Sequence, residues 1–282
     1  MPTIFKCKTA EAYQIKVLAE LLTNNLKTGC FEINEDGISL RMFDNPRKTL
    51  VDLNLIAENF SLFKFNNDNT KISVGLNLNF FFRLTKSVKK KDSIQLFINS
   101  EDSTELGITT IPKENTRVTT SCIKILNIQN LDAELPTGYG KPVIVSSADF
   151  QKMCKELSSI GSTNICVESL GNCIDFIADA DDILKRTVRL GESDEDDKKQ
   201  SKDHKLYQAT FTTDQFTRIN KIAGLSTTLQ IFPGTENLPL LFRSNVGSLG
   251  KISVYIKSKE IVDKEMDDSD SEISSDSDND SD

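Results

Sequence analysis

The sequence predicts an α+β fold of two similar halves, each with two helices packed on antiparallel sheets, and three observations carry that prediction. Short segments rich in Ile, Val, Thr and Phe alternate with turn signals such as Glu35-Asp36-Gly37 and Asn66-Asn67-Asp68-Asn69, which is how antiparallel strands read. Only four stretches, residues 9–24, 76–89, 147–160 and 212–223, show the spacing of an amphipathic helix. Those four recur at nearly constant intervals, as copies of one unit would.

The third and fourth helices have legible starts. Ser147-Ala148-Asp149 and Thr212-Thr213-Asp214 each supply an N-cap hydroxyl and a carboxylate for the positive helix end. In the last three helices an aromatic residue is followed two places on by a basic one, and three later by another: Phe81/Arg83/Lys86, Phe150/Lys152/Lys155 and Phe216/Arg218/Lys221. Positions i and i+3 share a helix face, so each cation pair lies on one side while the aromatic turns towards the sheet. The first helix matches in part, with Tyr13 in the aromatic place and Lys16 as its basic residue. The anchors Tyr13, Phe81, Phe150 and Phe216 are 68, 69 and 66 residues apart, which suggests a helix followed by strands, repeated twice in each half. A single pair is what any amphipathic helix carries on its wet face. Three identical spacings point instead to a positive surface that binds phosphates without reading sequence.

At 282 residues and 38% hydrophobic content, two domains of similar size are expected. Pro136, Gly138, Gly140 and Pro142 interrupt regular structure in 126–142, so the expected division is domain 1–125, connector 126–142 and domain 143–261. Residues 262–282 are Ser/Asp-rich and are expected to be a disordered acidic tail, while 191–206 read as a surface loop between strand-like segments 183–190 and 206–211. This layout explains the formal charge of −8: between Glu260 and Asp282 there are eleven acids and one lysine, which leaves about +2 for residues 1–259. The 192–203 loop takes a further three negative charges, so the body is near +5.

Enzyme chemistry finds no constellation. There is no phosphate-binding glycine loop, and Asp181-Asp182 fall in a turn. The six cysteines (Cys7, Cys30, Cys122, Cys154, Cys166, Cys173) lack metal-ligand spacing, His204 is the single histidine, and buried reduced thiols are the expectation. No cofactor or metal is expected. No apolar run is long enough for a membrane span and the N-terminus lacks a signal-peptide stretch, so a soluble, intracellular protein with no membrane partner is expected.

Over residues 4 to about 261 the wording of the chain resembles the eukaryotic and archaeal sliding clamp family, proliferating cell nuclear antigen. The similar stretches are Asp36-Gly37-Ile38-Ser39-Leu40 with Asp44, Val74-Gly75-Leu76-Asn77-Leu78, residues 150–161 (FQKMCKELSSIG) and Leu238-Pro239-Leu240. The resemblance implies the DNA-clamp fold in a homotrimeric ring whose helices line a central hole. The protein would encircle double-stranded DNA and act as a processivity factor for replication and repair proteins. Lys16, Arg83, Lys86, Lys152, Lys155, Arg218 and Lys221 would then face DNA, and contacts to phosphates alone let a ring slide. It also implies DNA polymerase, a clamp loader and other partners that insert a short clamp-binding motif under the connector. By position that pocket is Phe43, Arg47 and Leu50, then Leu126, Ile128, Leu135 and Pro136, then Pro239 with Tyr255, Ile256, Lys257 and Ser258. Without the resemblance, Leu50, Leu126 and Ile128 read as ordinary core residues.

The chain departs from the family pattern in three places. Lys257-Ser258-Lys259 stands where the family reads Ala-Pro-Lys, Glu168-Ser169-Leu170-Gly171 stands where eukaryotic clamps carry the lysine that accepts ubiquitin, and the acidic tail is long. Serine-acid spacings in that tail suit an acidophilic kinase, and a solubilising or channel-masking role fits the same composition. Residues 117–126 and 183–190 are the expected subunit edges, the second carrying Lys185, Arg186 and Arg189. The alternative to a closed ring is a clamp-fold accessory or transcription factor. The expected location is the nucleus, or a cytoplasmic viral replication site.

Overall fold

The computed structural model describes residues 2–114, 117–128, 133–180, 183–192, 207–234 and 237–275, with the side chains of 170 and 268–275 left aside. The loop 193–206, His204 and Asp181-Asp182 lie outside the described residues.

The chain repeats one unit four times: a strand, a helix, then three strands. The first unit is β1 (Thr3–Thr9), α1 (Ala12–Asn25), β2 (Thr28–Ile33), β3 (Gly37–Phe43) and β4 (Thr49–Ile56). A short β5 (Leu62–Phe65) precedes the second: β6 (Ile72–Asn77), α2 (Leu78–Thr85), β7 (Ser93–Asn99), β8 (Glu105–Ile111) and β9 (Thr119–Lys124). The third is β10 (Val143–Ser146), α3 (Ser147–Ser158), β11 (Asn164–Leu170), β12 (Cys173–Ala180) and β13 (Leu184–Gly191). The fourth is β14 (Tyr207–Thr212), α4 (Thr213–Ile219) with a 3-10 turn Asn220–Gly224, β15 (Thr228–Phe232), β16 (Leu240–Val246) and β17 (Gly250–Ile256). The chain continues as α5 (Lys259–Ser275).

In every unit the helix is a crossover from one sheet to another. An eight-stranded sheet, ordered β10-β15-β16-β17-β4-β3-β2-β6, takes strands from both halves. It reads symmetrically outward from the antiparallel β4/β17 pair. The other sheets are β5-β1-β7-β8-β9 in the first half and β13-β12-β11-β14 in the second. β9 and β13 end their sheets, so the segments expected at subunit edges are edge strands. The helices lie side by side in the order α2, α1, α4, α3, with α2 on β2 and β6, α1 on β16, and α3 on β10 and β15.

One continuous core runs under this helical layer. Phe81 is 6% exposed, Phe150 0% and Phe216 1%, so all three repeat aromatics point inward. Phe216 meets Phe176, Phe211 and Phe242 edge-on, with centroids 5.6, 5.9 and 6.1 Å away. Such pairs add about 0.5–1.5 kcal/mol each beyond area burial.

Four sequence expectations need correction. The second and fourth helices are shorter than their periodicity suggests: α2 stops at Thr85, whose Oγ1 bonds back to the Phe81 and Phe82 carbonyls, and α4 tightens into its 3-10 turn. The α3 cap is Ser146, whose side chain accepts from Asp149 N, rather than Ser147, which is buried. Thr212 does cap α4, in a reciprocal box with Gln215. Only Cys7, Cys30 and Cys154 are buried; Cys122 is exposed on edge strand β9, and Cys166 and Cys173 are partly covered. Finally, the acidic tail is helical as far as Ser275, because Ser258 accepts from Ile261 N and Glu265 reaches Lys257.

Replacing Phe216 by Ala should lower stability by about 3–5 kcal/mol, read from the denaturant midpoint. Phe80→Ala, at a side chain 52% exposed on α2, should change it by under about 1 kcal/mol.

Candidate functional site

The first candidate surface is the outer side of the helical layer. Arg83, Lys86, Lys152 and Lys155 are exposed, while Lys16, Arg218 and Lys221 are half-buried. Their surroundings differ. Arg218 pairs with Asp214 at 2.7 Å, Lys221 with Glu20 of α1 at 2.8 Å, and Lys152 with Glu156 at 3.8 Å. Lys16 donates to the Val88 carbonyl at 3.3 Å and lies 5.6 Å from the Tyr13 ring centre. Arg83 stacks on Phe80, its neighbour on the exposed face, at 5.9 Å. Among the described residues Arg83, Lys86 and Lys155 have no carboxylate partner. Exposed ion pairs are worth about 0.2–1 kcal/mol, so the paired cations can exchange a carboxylate for a phosphate at small cost.

The two middle helices are fastened across the halves. The side-chain amide of Asn25, at the end of α1, donates to the Arg218 carbonyl at 3.4 Å, and Lys221–Glu20 closes the same seam. Glu11, before α1, accepts from the backbone and hydroxyl of Ser248 in the β16–β17 turn. The basic side chains therefore sit on a braced platform.

Sequence reasoning missed a basic cluster beside this layer. A groove of about 830 Å³ between α2 and β9 is lined by Lys89, Lys90, Lys91, Lys113 and Arg117. Lys90 lies 5.6 Å from the Tyr13 ring centre, the same distance as Lys16. The run Lys89-Lys90-Lys91 was visible, but it falls outside the helical register of the repeat.

The second candidate surface is a cavity of about 180 Å³ lined by Phe43, Lys48, Leu50, Pro136, Asn237, Leu238, Pro239, Tyr255, Lys257, Ile261 and Glu265. Its turn is built by Asp44, whose carboxylate accepts from Lys48 N and Thr49 N at 2.8 Å each while Arg47 takes a left-handed backbone (φ 54°). That turn lays the Arg47 guanidinium 5.2 Å from the Phe43 ring. From the connector, the Tyr139 hydroxyl donates to the Pro239 carbonyl at 2.8 Å, and its ring tilts against Phe232 and Tyr255.

Of the residues implied for the pocket, Phe43, Leu50, Pro136, Pro239, Tyr255 and Lys257 do line one cavity. The others have different places. Leu126 and Ile128 rest on β6 and β2: Leu126 N bonds Gly75 O at 2.8 Å, and a Cβ at Gly75 would collide with the Leu126 carbonyl. Leu135 packs on the cluster of Leu50, Phe232, Leu241 and Tyr255 behind the cavity, Ile256 is fully buried, and Ser258 is spent on capping α5. Ile261 and Glu265 also line the cavity; neither was among the residues implied for it, and Glu265 falls in the stretch expected to be a disordered tail.

Two similar halves joined through one eight-stranded sheet under a layer of four adjacent helices define the DNA-clamp class of fold. Residues 4–135 match the proliferating cell nuclear antigen N-terminal domain and residues 136–259 its C-terminal domain. The chain belongs to the proliferating cell nuclear antigen family. It is 24% identical over 257 residues, 90% of its length and 96% of the other's, to a probable DNA polymerase sliding clamp of Paramecium bursaria Chlorella virus 1. It is 25% identical over 159 residues to proliferating cell nuclear antigen of Dictyostelium discoideum, a match spanning 56% of this chain and 60% of that protein. Among solved structures, a chain of the PCNA2-PCNA3 complex from Sulfolobus tokodaii superposes with a TM-score of 0.76 at 18% identity, covering 90% of this chain and 99% of that one.

Burial raises Tyr139 and Tyr255 above the ordinary tyrosine range, with smaller contributions from Tyr255 on Tyr139 and from Asp52 on Tyr255. A folded pKa above the unfolded value of about 10 means that folding favours the protonated ring. The stability this lends is complete below about pH 10 and is lost as pH rises towards the folded value. The denaturant midpoint should therefore drop between pH 8 and pH 11, and Tyr139→Phe should drop less.

Proposed function

We propose that this chain is a DNA sliding clamp that closes as a homotrimeric ring around duplex DNA, with α1 to α4 facing the hole. The observation that carries this reading is the basic pair set at the same offset from a buried aromatic on three of four adjacent helices or in the turn that ends them, with Lys86 the C-cap of α2 and Lys221 in the 3-10 turn after α4, in a chain of this family. Lys16, Arg83, Lys86, Lys152, Lys155, Arg218 and Lys221 are the phosphate-facing side chains. Cations without base-reading partners position a duplex and let it move, and ring topology supplies retention. Arg83, Lys86 and Lys155 are the contacts whose charge is least offset by neighbouring acids.

Ring closure uses the free edges, β9 of one subunit adding to β13 of the next. On β13, Arg189 is held bidentate by Asp175 and Arg186 reaches Glu156. These pairs reduce the repulsion among the cations of the β13 edge. DNA polymerase, a clamp loader and other proteins with a short clamp-binding motif dock an apolar anchor in the cavity beside the connector. The clamp is a processivity factor rather than a catalyst. It works where DNA is replicated, in the nucleus or at a cytoplasmic viral replication site, the second supported by the similarity to a viral clamp.

Changing Arg83, Lys86, Lys152 and Lys155 to Glu should weaken DNA association and flatten its salt dependence by about 0.9 in log–log slope per lost phosphate contact. An unchanged slope would remove these helices from the interface. Phe43→Ala, half-buried at the cavity wall, should leave folding and DNA association intact and lower polymerase affinity by about tenfold. Full stimulation of polymerase by that variant would place docking elsewhere.

A further inference from the structure

The groove between α2 and β9 concentrates positive charge. Lys89, Lys90, Lys91, Lys113 and Arg117 line it, all exposed, against two carboxylates, Asp92 and Glu114. Asp92 is buried and accepts from Lys89 N at 2.9 Å, so its carboxylate is committed to the backbone of the turn. Among the described residues none of the five cations forms an ion pair. Thr110 and Thr119, cross-strand partners on β8 and β9, add hydroxyls to the lining, and no lining residue is aromatic.

The groove is continuous with the helical face. Lys16 Nζ donates to the carbonyl of Val88, the residue before the lysine triplet, and Lys16 and Lys90 each lie 5.6 Å from the centre of one Tyr13 ring. Lys86, the C-cap of α2, stands just before the same turn. Like charges held this close repel one another, and an anion that spans them relieves the repulsion. The triplet also stands outside the fourfold repeat: Leu26-Lys27 follows α1, Ser159-Ile160-Gly161 follows α3, and Leu225-Ser226 follows the turn after α4.

We infer that this groove is a second phosphate-binding site for duplex DNA, taking the backbone that runs on from Lys16 and Lys86 past the end of α2. This rests on the DNA-facing role given to the helical layer above and adds a contact that the repeat does not contain. A duplex carries one negative charge per about 1.7 Å of its axis, which suits several cations in one groove. With no aromatic ring to stack bases, the site reads phosphates alone.

The test compares Lys90→Gln/Lys91→Gln/Lys113→Gln with a control of equal charge, Lys64→Gln/Lys141→Gln/Lys259→Gln, whose lysines are exposed on β5, the connector and α5. A labelled linear duplex, whose free ends let a ring thread on, is titrated against the full chain by fluorescence anisotropy between about 50 and 200 mM salt. The groove variant should flatten the log–log salt slope by about 0.9 per lost contact, up to about 2.7, with the control unmoved and the light-scattering mass of both equal to that of the unaltered chain. An unmoved slope in the groove variant, or an equal fall in groove variant and control, overturns the inference; flattening in the Glu variant of the helices then keeps the helical reading standing. A changed mass in the groove variant alone would make the groove a contact between subunits and overturn the inference as well. If the Glu variant of the helices leaves the slope unmoved, the helical reading fails and the inference with it.

Discussion

Seven consecutive residue pairs between β4 and β17, from Thr49↔Ile256 to Leu55↔Gly250, make one sheet out of two half-chains, and the other functional features depend on that junction. Both strands are buried along most of their length, so the pairing sits in low dielectric, where backbone hydrogen bonds are strongest and unpaired groups are most costly. Because each unit's helix crosses from this sheet or to it, fixing the sheet places all four helices on one side. The Asn25–Arg218 and Lys221–Glu20 contacts then close the helical layer over the same seam.

The junction also makes the cavity. Leu50 on β4 and Tyr255 on β17 are direct cross-strand partners, and both line it. The cavity thus opens on the outer face of the interdomain sheet, whereas the basic layer lies over its helical side. Under the proposed roles, DNA and a partner protein would meet opposite faces of one sheet and would not compete for the same residues.

The fold was legible because its signals are local and repeated. Phe81, Phe150 and Phe216 are buried as their spacing requires, and Thr212 caps α4 as its capping pattern requires. The helix ends were less legible: the back-bonding of Thr85 and the choice of Ser146 over Ser147 depend on tertiary burial. At the site, the residue types were visible and their partners were not. Nothing in spacing reveals that Lys221 meets Glu20, 201 positions away, or that Leu126 spends its backbone on Gly75. The largest miss was α5. Composition argued for disorder, yet Lys257, Ser258 and Glu260 give its first turns partners in the folded body.

The homotrimeric ring proposed above would join three subunits of 31.5 kDa each. Light scattering of the full chain at micromolar concentration measures it most directly. A closed trimer predicts a mass of about three times the subunit value, held across dilution. A mass of one subunit at every concentration would contradict it.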